Sequence, residues 1–351
     1  MEFDAWSVPR VKNRSYIRMR RTLGIDSFGF KLRGDPNFQK YNLIIGHEGF
    51  GQWVNLASRD AKVALVSGFM PSGIPHLGTL CILKQMAYYQ KFYNAELFIP
   101  IADIEAMLVR GKSGKEIKKI IPKFIAHFMA AGIKIEKCQI YLQSRNGKTL
   151  RSALKLMSSF DMKKLEGLYG RRLTRGEAQS SFAMAADIIY PFGFGYKNIL
   201  VTMGIDEISH AKLVLDLVRL NADTKKISFT YSNLLQGIHG SKMGKSLPQN
   251  SITLNDSAEK ARRSMKRWHR TRGPSDDLEL NMIRWFSTTD SIKGKKALDH
   301  SIATVTELLE AHQTRYAKAL PYAKKVTDSL YSKDDSFYNR SFLNSRMFDT
   351  L

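Results

Sequence analysis

The sequence predicts an α/β protein: a doubly wound parallel sheet followed by an all-helical C-terminal domain. Between residues 61 and 232, short apolar runs rich in β-branched residues alternate with segments of helical periodicity, which is typical of parallel sheets covered by helices on both faces. After about residue 255 the strand pattern fades and only helical periodicity remains. With 351 residues, 43% of them hydrophobic, the chain is long enough for two domains that each bury a core.

Five strands and five helices follow from local patterns. Period-2 or continuous apolar runs bounded by Gly, Asn or Asp indicate strands, and apolar residues at i, i+3, i+4 and i+7 indicate helices. The last helix carries one apolar stripe of Ile302, Val305, Leu309, His312 and Tyr316. The predicted strands are 61–68, 96–103, 138–144, 197–204 and 225–232, and the predicted helices are 79–93, 116–132, 206–220, 257–272 and 300–320. We predict three segments: an N-terminal extension over 1–60, the sheet domain over 61–255 and the helical domain over 256–351.

The net charge indicates a polyanionic partner. Lys and Arg number 55 against 32 Asp and Glu, a formal charge of +23, and such an excess is relieved when basic side chains face phosphates. A basic surface that only maintains solubility is the alternative. Two clusters stand out, one among the first 21 residues and one on the 257–272 helix, where Trp268 or His269 could stack on an exposed base. The basic side chains of the second cluster are Arg262, Arg263, Lys266, Arg267 and Arg270.

The two cysteines and the apolar runs bear on localisation. Cys81 and Cys138 fit no disulfide framework or metal-ligand spacing, so we expect small buried hydrophobic residues in a reducing cytoplasm and no bound metal. No apolar run has the roughly 18 residues of a membrane span, and the first ten residues lack the pattern of a signal peptide. We therefore expect a cytoplasmic protein without a membrane partner.

The first chemical motif is VSGFMPSGIPHLGTL, residues 66–80, between a predicted strand and helix. In open α/β sheets a ligand lies beyond the carboxyl ends of the strands, where a helix N-terminus offers unpaired N–H groups to phosphate. Gly68 and Gly78 would let a nucleotide approach the backbone, and His76 could donate a hydrogen bond to a phosphate oxygen. A plain Gly/Pro turn explains the segment equally well by itself.

The second motif is GSKMGKSLPQNSITLND, residues 240–256. Lys242 and Lys245, flanked by Gly240 and Gly244, could close on a phosphate chain while negative charge moves during a reaction. A solvated Lys/Gly/Ser loop is the alternative for this segment alone.

Together the two motifs resemble the HIGH and KMSKS signatures of class I aminoacyl-tRNA synthetases, in the right order on the right fold pattern. MAADIIY at 184–190 and TMGIDE at 202–207 resemble segments of the subclass that activates tryptophan and tyrosine. Residues 44–60, 101–108 and 308–320 are similar to segments of the archaeal and eukaryotic tryptophanyl enzymes.

This resemblance implies a Rossmann-like catalytic domain with a dimer-interface insertion and a helical domain that meets the anticodon. It implies activation of L-tryptophan by ATP, with Mg²⁺ carried by the nucleotide, then transfer to tRNA, with a homodimer and no DNA partner expected. The 257–272 cluster would follow the tRNA backbone. Catalytic roles fall on His76, Thr79, Lys242 and Lys245, and ATP contacts on Gly68, Phe69, Met70, Gly78, Gly204, Asp206 and Met243.

An indole needs apolar walls and one buried acceptor for its N–H group. Asp187 and Glu105 are the candidate acceptors, and a tyrosine phenol could use the same aspartate. Tyrosine as substrate, and a paralogue that binds tRNA with weak or no aminoacylation, therefore stay open. Four departures from the family motifs motivate the second: Thr79, Gly244, Glu207 and the pair Phe69-Met70. The full predicted amino-acid site is Glu105, Met184, Asp187, Val201, Met203 and Glu207.

Overall fold

A six-stranded sheet forms the centre of the molecule. The structure is a computed structural model that describes residues 16–59, 61–219, 226–237, 242–244, 248–272, 282–286 and 297–332. The strands lie in the order β1-β6-β5-β2-β3-β4, and every neighbouring pair is parallel except β1 with β6. Their bounds are β1 (Ile44–Glu48), β2 (Ala64–Val66), β3 (Glu96–Ile101), β4 (Cys138–Leu142), β5 (Asn198–Gly204) and β6 (Lys226–Ser232).

Helices cover both faces of the sheet, which confirms the predicted doubly wound fold. One buried cluster includes Trp53 and Phe128, and a second, on the other face, includes Phe182 and Tyr231. The helices are α1 (Tyr16–Leu23), α2 (Asn37–Lys40), α3 (Phe50–Ser58), α4 (Leu77–Tyr93), α5 (Asp103–Arg110), α6 (Gly114–Ala130), α7 (Gly147–Ser159), α8 (Met162–Tyr169), α9 (Arg175–Ile189), α10 (Ile208–Arg219), α11 (Ala258–Arg272) and α12 (Ala297–Tyr331).

The direction of chain winding reverses beside β2. From β2 the chain passes through α4 to β3 and on to β4, then returns to β5 on the other side of β2, where Val66 pairs in register with Val201. Loops at the carboxyl ends of β2 and β5 therefore diverge to opposite faces and leave a crevice, the usual ligand position in this fold. The five predicted strands correspond to β2 through β6.

The segment predicted as an N-terminal extension contributes an edge strand. β1 pairs antiparallel with β6, with His47 opposite Thr230. The run is only five residues long and contains a glycine, and its register shifts between Ile44 and Gly46. A strand this short and irregular gives little periodic signal, so its residues were not predicted as a strand.

The described C-terminal residues are helical. α12 packs along α6 and α11, and its predicted stripe faces this contact, with Val305, Leu309 and His312 fully buried. His127 of α6 lies against this stripe. Its Nδ1 is 3.0 Å from Nε2 of His312, and Tyr316 stacks on the His127 ring. Among the described residues, no helix is both long and apolar enough to span a membrane.

Candidate active site

A cleft of about 540 Å³ opens at the carboxyl ends of β2, β3 and β5, at the winding reversal. It brings together segments that are far apart in the sequence. Lys245 lies outside the described residues. The predicted residues that line the cleft are Gly68, Phe69, Met70, His76, Gly78, Thr79, Glu105, Met184, Asp187, Val201, Met203, Gly204, Asp206, Glu207, Lys242 and Met243.

His76 stands at the N-cap of α4, in extended backbone conformation. Its backbone N–H donates to Oγ1 of Thr79 at 3.5 Å, so the threonine that departs from the HIGH signature caps the helix. A Cβ on Gly78 would lie 3.0 Å from two atoms of the His76 ring. The glycine therefore makes room for the histidine, which keeps its ring beside the helix N-terminus.

The segment that follows the lysine loop holds this turn in place. The N–H of Leu77 donates to the carbonyl of Ile252 at 3.0 Å, and the N–H of Leu254 donates to the carbonyl of Pro75 at 2.8 Å. In turn, Nε2 of Gln313 on α12 donates to the carbonyl of Asp256 at 2.6 Å. Backbone hydrogen bonds thus connect the two motifs, and the C-terminal helix contacts the connecting segment.

The Lys242 ammonium is bound to the buried carboxylate of Asp206. Burial alone would lower the pKa of Lys242, but the charges of Asp206 and Glu207 outweigh it, and the pKa is raised. A Cβ on Gly204 would collide with Oδ1 of Asp206. This explains the glycine two residues before the aspartate. The lysine is held in its charged form, at the edge of the cleft.

Hydrogen bonds anchor the described part of the loop that carries Lys242, residues 242–244. Met243 donates its N–H to the carbonyl of Leu235 at 2.9 Å, and Nδ2 of Asn250 donates to the carbonyl of Lys242 at 3.1 Å. The N–H of Gly244 donates to Oγ of Ser251 at 3.0 Å. These bonds fix the backbone at the lysine and in the two residues that follow it.

Asp187 is the buried acceptor at the other end of the cleft. It lies near the end of α9 and is 1% exposed. Tyr141 Oη donates to its Oδ1 at 3.0 Å, and Gln143 Nε2 donates to its Oδ2 at 2.5 Å. Burial raises the pKa of Asp187 to about 7, although both hydrogen bonds oppose this shift. Asp187 is therefore poised between its neutral and charged forms at neutral pH.

A second carboxylate, Asp103, supports this network through the turn that carries Gln143. Asp103 accepts hydrogen bonds from the N–H of Ser144, at 3.0 Å, and from the Ser144 hydroxyl. Ser144 and Gln143 belong to the single 3₁₀ turn Gln143–Arg145 that follows β4. The carboxylate thus fixes the turn that aims the Gln143 amide at Asp187, while its own charge also raises the pKa of Asp187.

Several cleft residues were missed by the sequence analysis. Gln143 lies near the carboxyl end of the predicted strand 138–144 and directly follows β4, and that position at the edge of the sheet was a usable signal. Tyr141 lies within β4, and its role is revealed only by its hydrogen bond to Asp187, 46 residues along the chain. Arg110, Lys112 and His210 also line the cleft. Arg110 ends α5, where a basic residue is expected for the helix dipole alone.

The predicted RNA-binding helix is only partly as expected. The five basic residues predicted to contact tRNA, which lie between Arg262 and Arg270 on α11, are exposed. The suggestion that Trp268 stacks on a base is wrong, because its side chain is 1% exposed and belongs to the core with Ala261 and Met265. His269 is half-buried. Of the N-terminal cluster, Arg10, Lys12 and Arg14 lie outside the described residues.

Comparison with known proteins identifies the family. Residues 58–332 match the family described as tRNA synthetases class I (W and Y). The tryptophan–tRNA ligase of Aeropyrum pernix is 31% identical over 280 residues, which are 75% of this chain and 74% of that protein. The enzyme of the same name from Methanocaldococcus jannaschii is 29% identical over 331 residues, 89% of this chain and 87% of that protein.

The solved structure of the A. pernix tryptophanyl-tRNA synthetase has a TM-score of 0.78 and 26% identity, covering 90% of this chain and 96% of that one. The Encephalitozoon cuniculi tryptophanyl-tRNA synthetase bound to tryptophan, at 17% identity, shares the fold with a TM-score of 0.76, covering 89% of this chain and 98% of that one. The chain belongs to the class I tRNA synthetases of the tryptophan and tyrosine type.

Proposed function

We propose that the chain is a tryptophan–tRNA ligase that uses ATP to form tryptophanyl adenylate and pyrophosphate, then transfers the tryptophanyl group to tRNA(Trp). One observation carries this proposal: a single cleft joins an apolar pocket with a buried acceptor to a helix N-terminus and a charged lysine. The relatives named as tryptophan–tRNA ligases support the choice of amino acid.

The amino-acid end of the cleft matches an indole. Met184, Val201 and Met203 supply apolar walls, and Asp187 supplies an acceptor between them. An indole has one N–H donor on a flat apolar body. Such a pocket can cover the ring with apolar side chains and accept a hydrogen bond from the N–H group. Glu207 would meet the substrate's ammonium group, and Glu105 is the second candidate acceptor.

The other end matches a nucleoside triphosphate bound with Mg²⁺. The N-terminus of α4 beside His76 offers backbone N–H groups to phosphate, and Asp206 would accept from the ribose. The tryptophan carboxylate oxygen attacks the α-phosphorus, and the bond to the bridging oxygen breaks as pyrophosphate departs with the electron pair. Lys242, with Lys245, would stabilise that leaving charge, so the protein mainly positions reactants and stabilises charge.

Partners follow from the two kinds of exposed surface. The basic face of α11 would follow the tRNA backbone, where each phosphate contact releases counterions and makes binding salt-dependent.

Exposed apolar side chains on α5, α7 and α8 would be covered in a homodimer. They are Met107, Leu108, Leu154 and Met162. Light scattering of the purified chain measures this directly.

Amino-acid-dependent ATP–pyrophosphate exchange tests the function. We expect exchange with tryptophan, and far less with tyrosine or phenylalanine. Exchange with tyrosine alone would instead support tyrosine as the substrate, since its phenol could donate to Asp187. No exchange with any of the twenty amino acids, together with retained tRNA binding, would support the RNA-binding paralogue.

A further inference from the structure

Arg110 lines the same cleft as Lys242. α5 starts at the carboxyl end of β3 and ends at Arg110, where Gly111 (φ +60°) turns the chain away in left-handed conformation. The exposed Arg110 side chain and the half-buried Lys112 both line the cleft. The sequence motifs assign neither residue a role.

The surrounding charges distinguish Arg110 from the other two cations described in the cleft. Lys112 is paired with Glu116 at 2.9 Å, and Lys242 is paired with Asp206. Within the ranges that the structure describes, Arg110 forms no ion pair. It is close enough to Lys242 for its positive charge to act against the raised pKa of that ammonium. Two like charges that face one cleft are stabilised when an anion enters between them.

The neighbouring wall carries no charge. Phe69 and Met70 follow β2 at the position where the resembled family has a polar or basic residue near ATP. The ring of Phe69 is buried against Phe128, with centroids 4.9 Å apart, and its backbone is fixed by hydrogen bonds to Pro100 and Ala102. Phe69 and Met70 therefore shape the cleft without contributing charge. A cation that binds a polyphosphate beside them must come from another element.

We propose that Arg110, together with Lys242, binds the β- and γ-phosphates of ATP and the pyrophosphate that leaves. The inference rests on the proposed function and adds a catalytic residue to it. As the bond from the α-phosphorus to the bridging oxygen breaks, charge accumulates on the pyrophosphate oxygens. The guanidinium donates hydrogen bonds to those oxygens and no proton is transferred. A planar fork with five donors suits two neighbouring phosphates better than an ammonium does.

Calorimetric titration of the full chain with Mg²⁺–ATP, adenosine and inorganic pyrophosphate tests this assignment without any amino acid. For Arg110→Met we expect the Kd for ATP and for pyrophosphate to rise at least about tenfold, with the Kd for adenosine within twofold of the wild type. Arg110→Lys should lie in between. Arg151→Met removes an exposed arginine of α7 that lies outside the cleft and serves as the matched control.

Unchanged ATP binding in Arg110→Met overturns the proposal, and so does an equal loss for ATP and adenosine, which would indicate a distorted pocket. In pyrophosphate exchange, the variant should also lose activity without a change in the KM for tryptophan. If the wild type binds ATP through Arg110 but activates no amino acid, the proposed function fails while the assignment of Arg110 stands.

Discussion

At the amino-acid end of the cleft, both oxygens of Asp187 accept hydrogen bonds from the Tyr141 and Gln143 side chains. At the phosphate end, the ammonium of Lys242 is paired with Asp206, a carboxylate that also lines the cleft. In the first arrangement, two uncharged side chains hydrogen-bond one buried carboxyl group, and these bonds form without a ligand. The second is an ion pair whose cation must share its contacts with an incoming polyphosphate.

With two such different ends, one cleft can combine selection and catalysis. Selection benefits from fixed partners, because a site that hydrogen-bonds its substrate rejects analogues that leave buried groups unpaired. Catalysis benefits from contacts that strengthen only in the transition state. Substitutions at the two ends should therefore affect different quantities. Those at the phosphate end should change the rate of adenylate formation, and those at the amino-acid end should change the choice and affinity of amino acid.

The largest effect is expected from Lys242→Met. Loss of the ammonium should slow adenylate formation by about 10²–10³-fold, the usual cost of removing one charge-stabilising group. The Kd for tryptophan should stay within twofold. Single-turnover adenylate formation and equilibrium tryptophan binding measure the two quantities. Equal losses in both would contradict the separation between the two ends.

This variant leaves the buried Asp206 carboxylate unpaired, which can destabilise the fold by about 3–5 kcal/mol. Lys242→Arg keeps a cation beside Asp206 and should fold normally, with a smaller loss of rate. Lys119→Met, an exposed lysine of α6, controls for loss of charge alone.

Asp187→Asn should reduce kcat/KM for tryptophan by about 10²-fold and leave the KM for ATP unchanged. The amide nitrogen is a donor where Tyr141 or Gln143 already donates, so one hydrogen bond is replaced by a clash of donors. Pyrophosphate exchange over a tryptophan series measures the loss. Retention of kcat/KM within threefold would remove Asp187 from substrate recognition.

The pH dependence of kcat/KM for tryptophan should report the titration of Asp187. Its pKa is raised to about 7 by burial, so the free protein carries neutral Asp187 below pH 7 and the carboxylate above it. If the carboxylate accepts the indole N–H, kcat/KM is constant above about pH 8 and falls towards tenfold per unit below pH 7. Exchange rates from pH 5.5 to 8.5 check this, with Asp187→Asn as the flat control.

The same shift has a defined sign for stability. A carboxyl group with a raised pKa in the folded state binds its proton more tightly than it does in the unfolded chain. Its contribution to the free energy of unfolding is therefore fully present below about pH 4. It is lost as the pH rises through about 7. Thermal unfolding between pH 4 and pH 8 checks this. As the pH rises, the Tm of the wild type should fall relative to the Tm of Asp187→Asn.

Sequence patterns predicted what is local to one segment. The strand–glycine–helix pattern around His76 and the periodicity of α12 could be recognised because each depends on neighbours in the chain. The Asp187 network could not, since its hydrogen bonds join residues that are 46 and 44 positions apart in the sequence. Trp268 shows a signal that was present and not used: Ala261, Met265 and Trp268 lie at i, i+4 and i+7, which places the indole on the buried face.

The smallest predicted effect concerns one hydrogen bond of the amino-acid end. Tyr141→Phe removes the 3.0 Å bond to Asp187, and since this bond stabilises the carboxylate, the pKa of Asp187 should rise further. At pH 7, kcat/KM for tryptophan should fall about five-fold, the usual value of one such bond, and the lower limb of the pH profile should move to higher pH. Tyr196→Phe is the matched control, because Tyr196 also donates to a carboxylate, Glu96, from the opposite end of the sheet. A pH profile that moves equally in both variants would mean that the network around Asp187 acts through fold stability, and the contrast between a fixed and an exchangeable end would then fail.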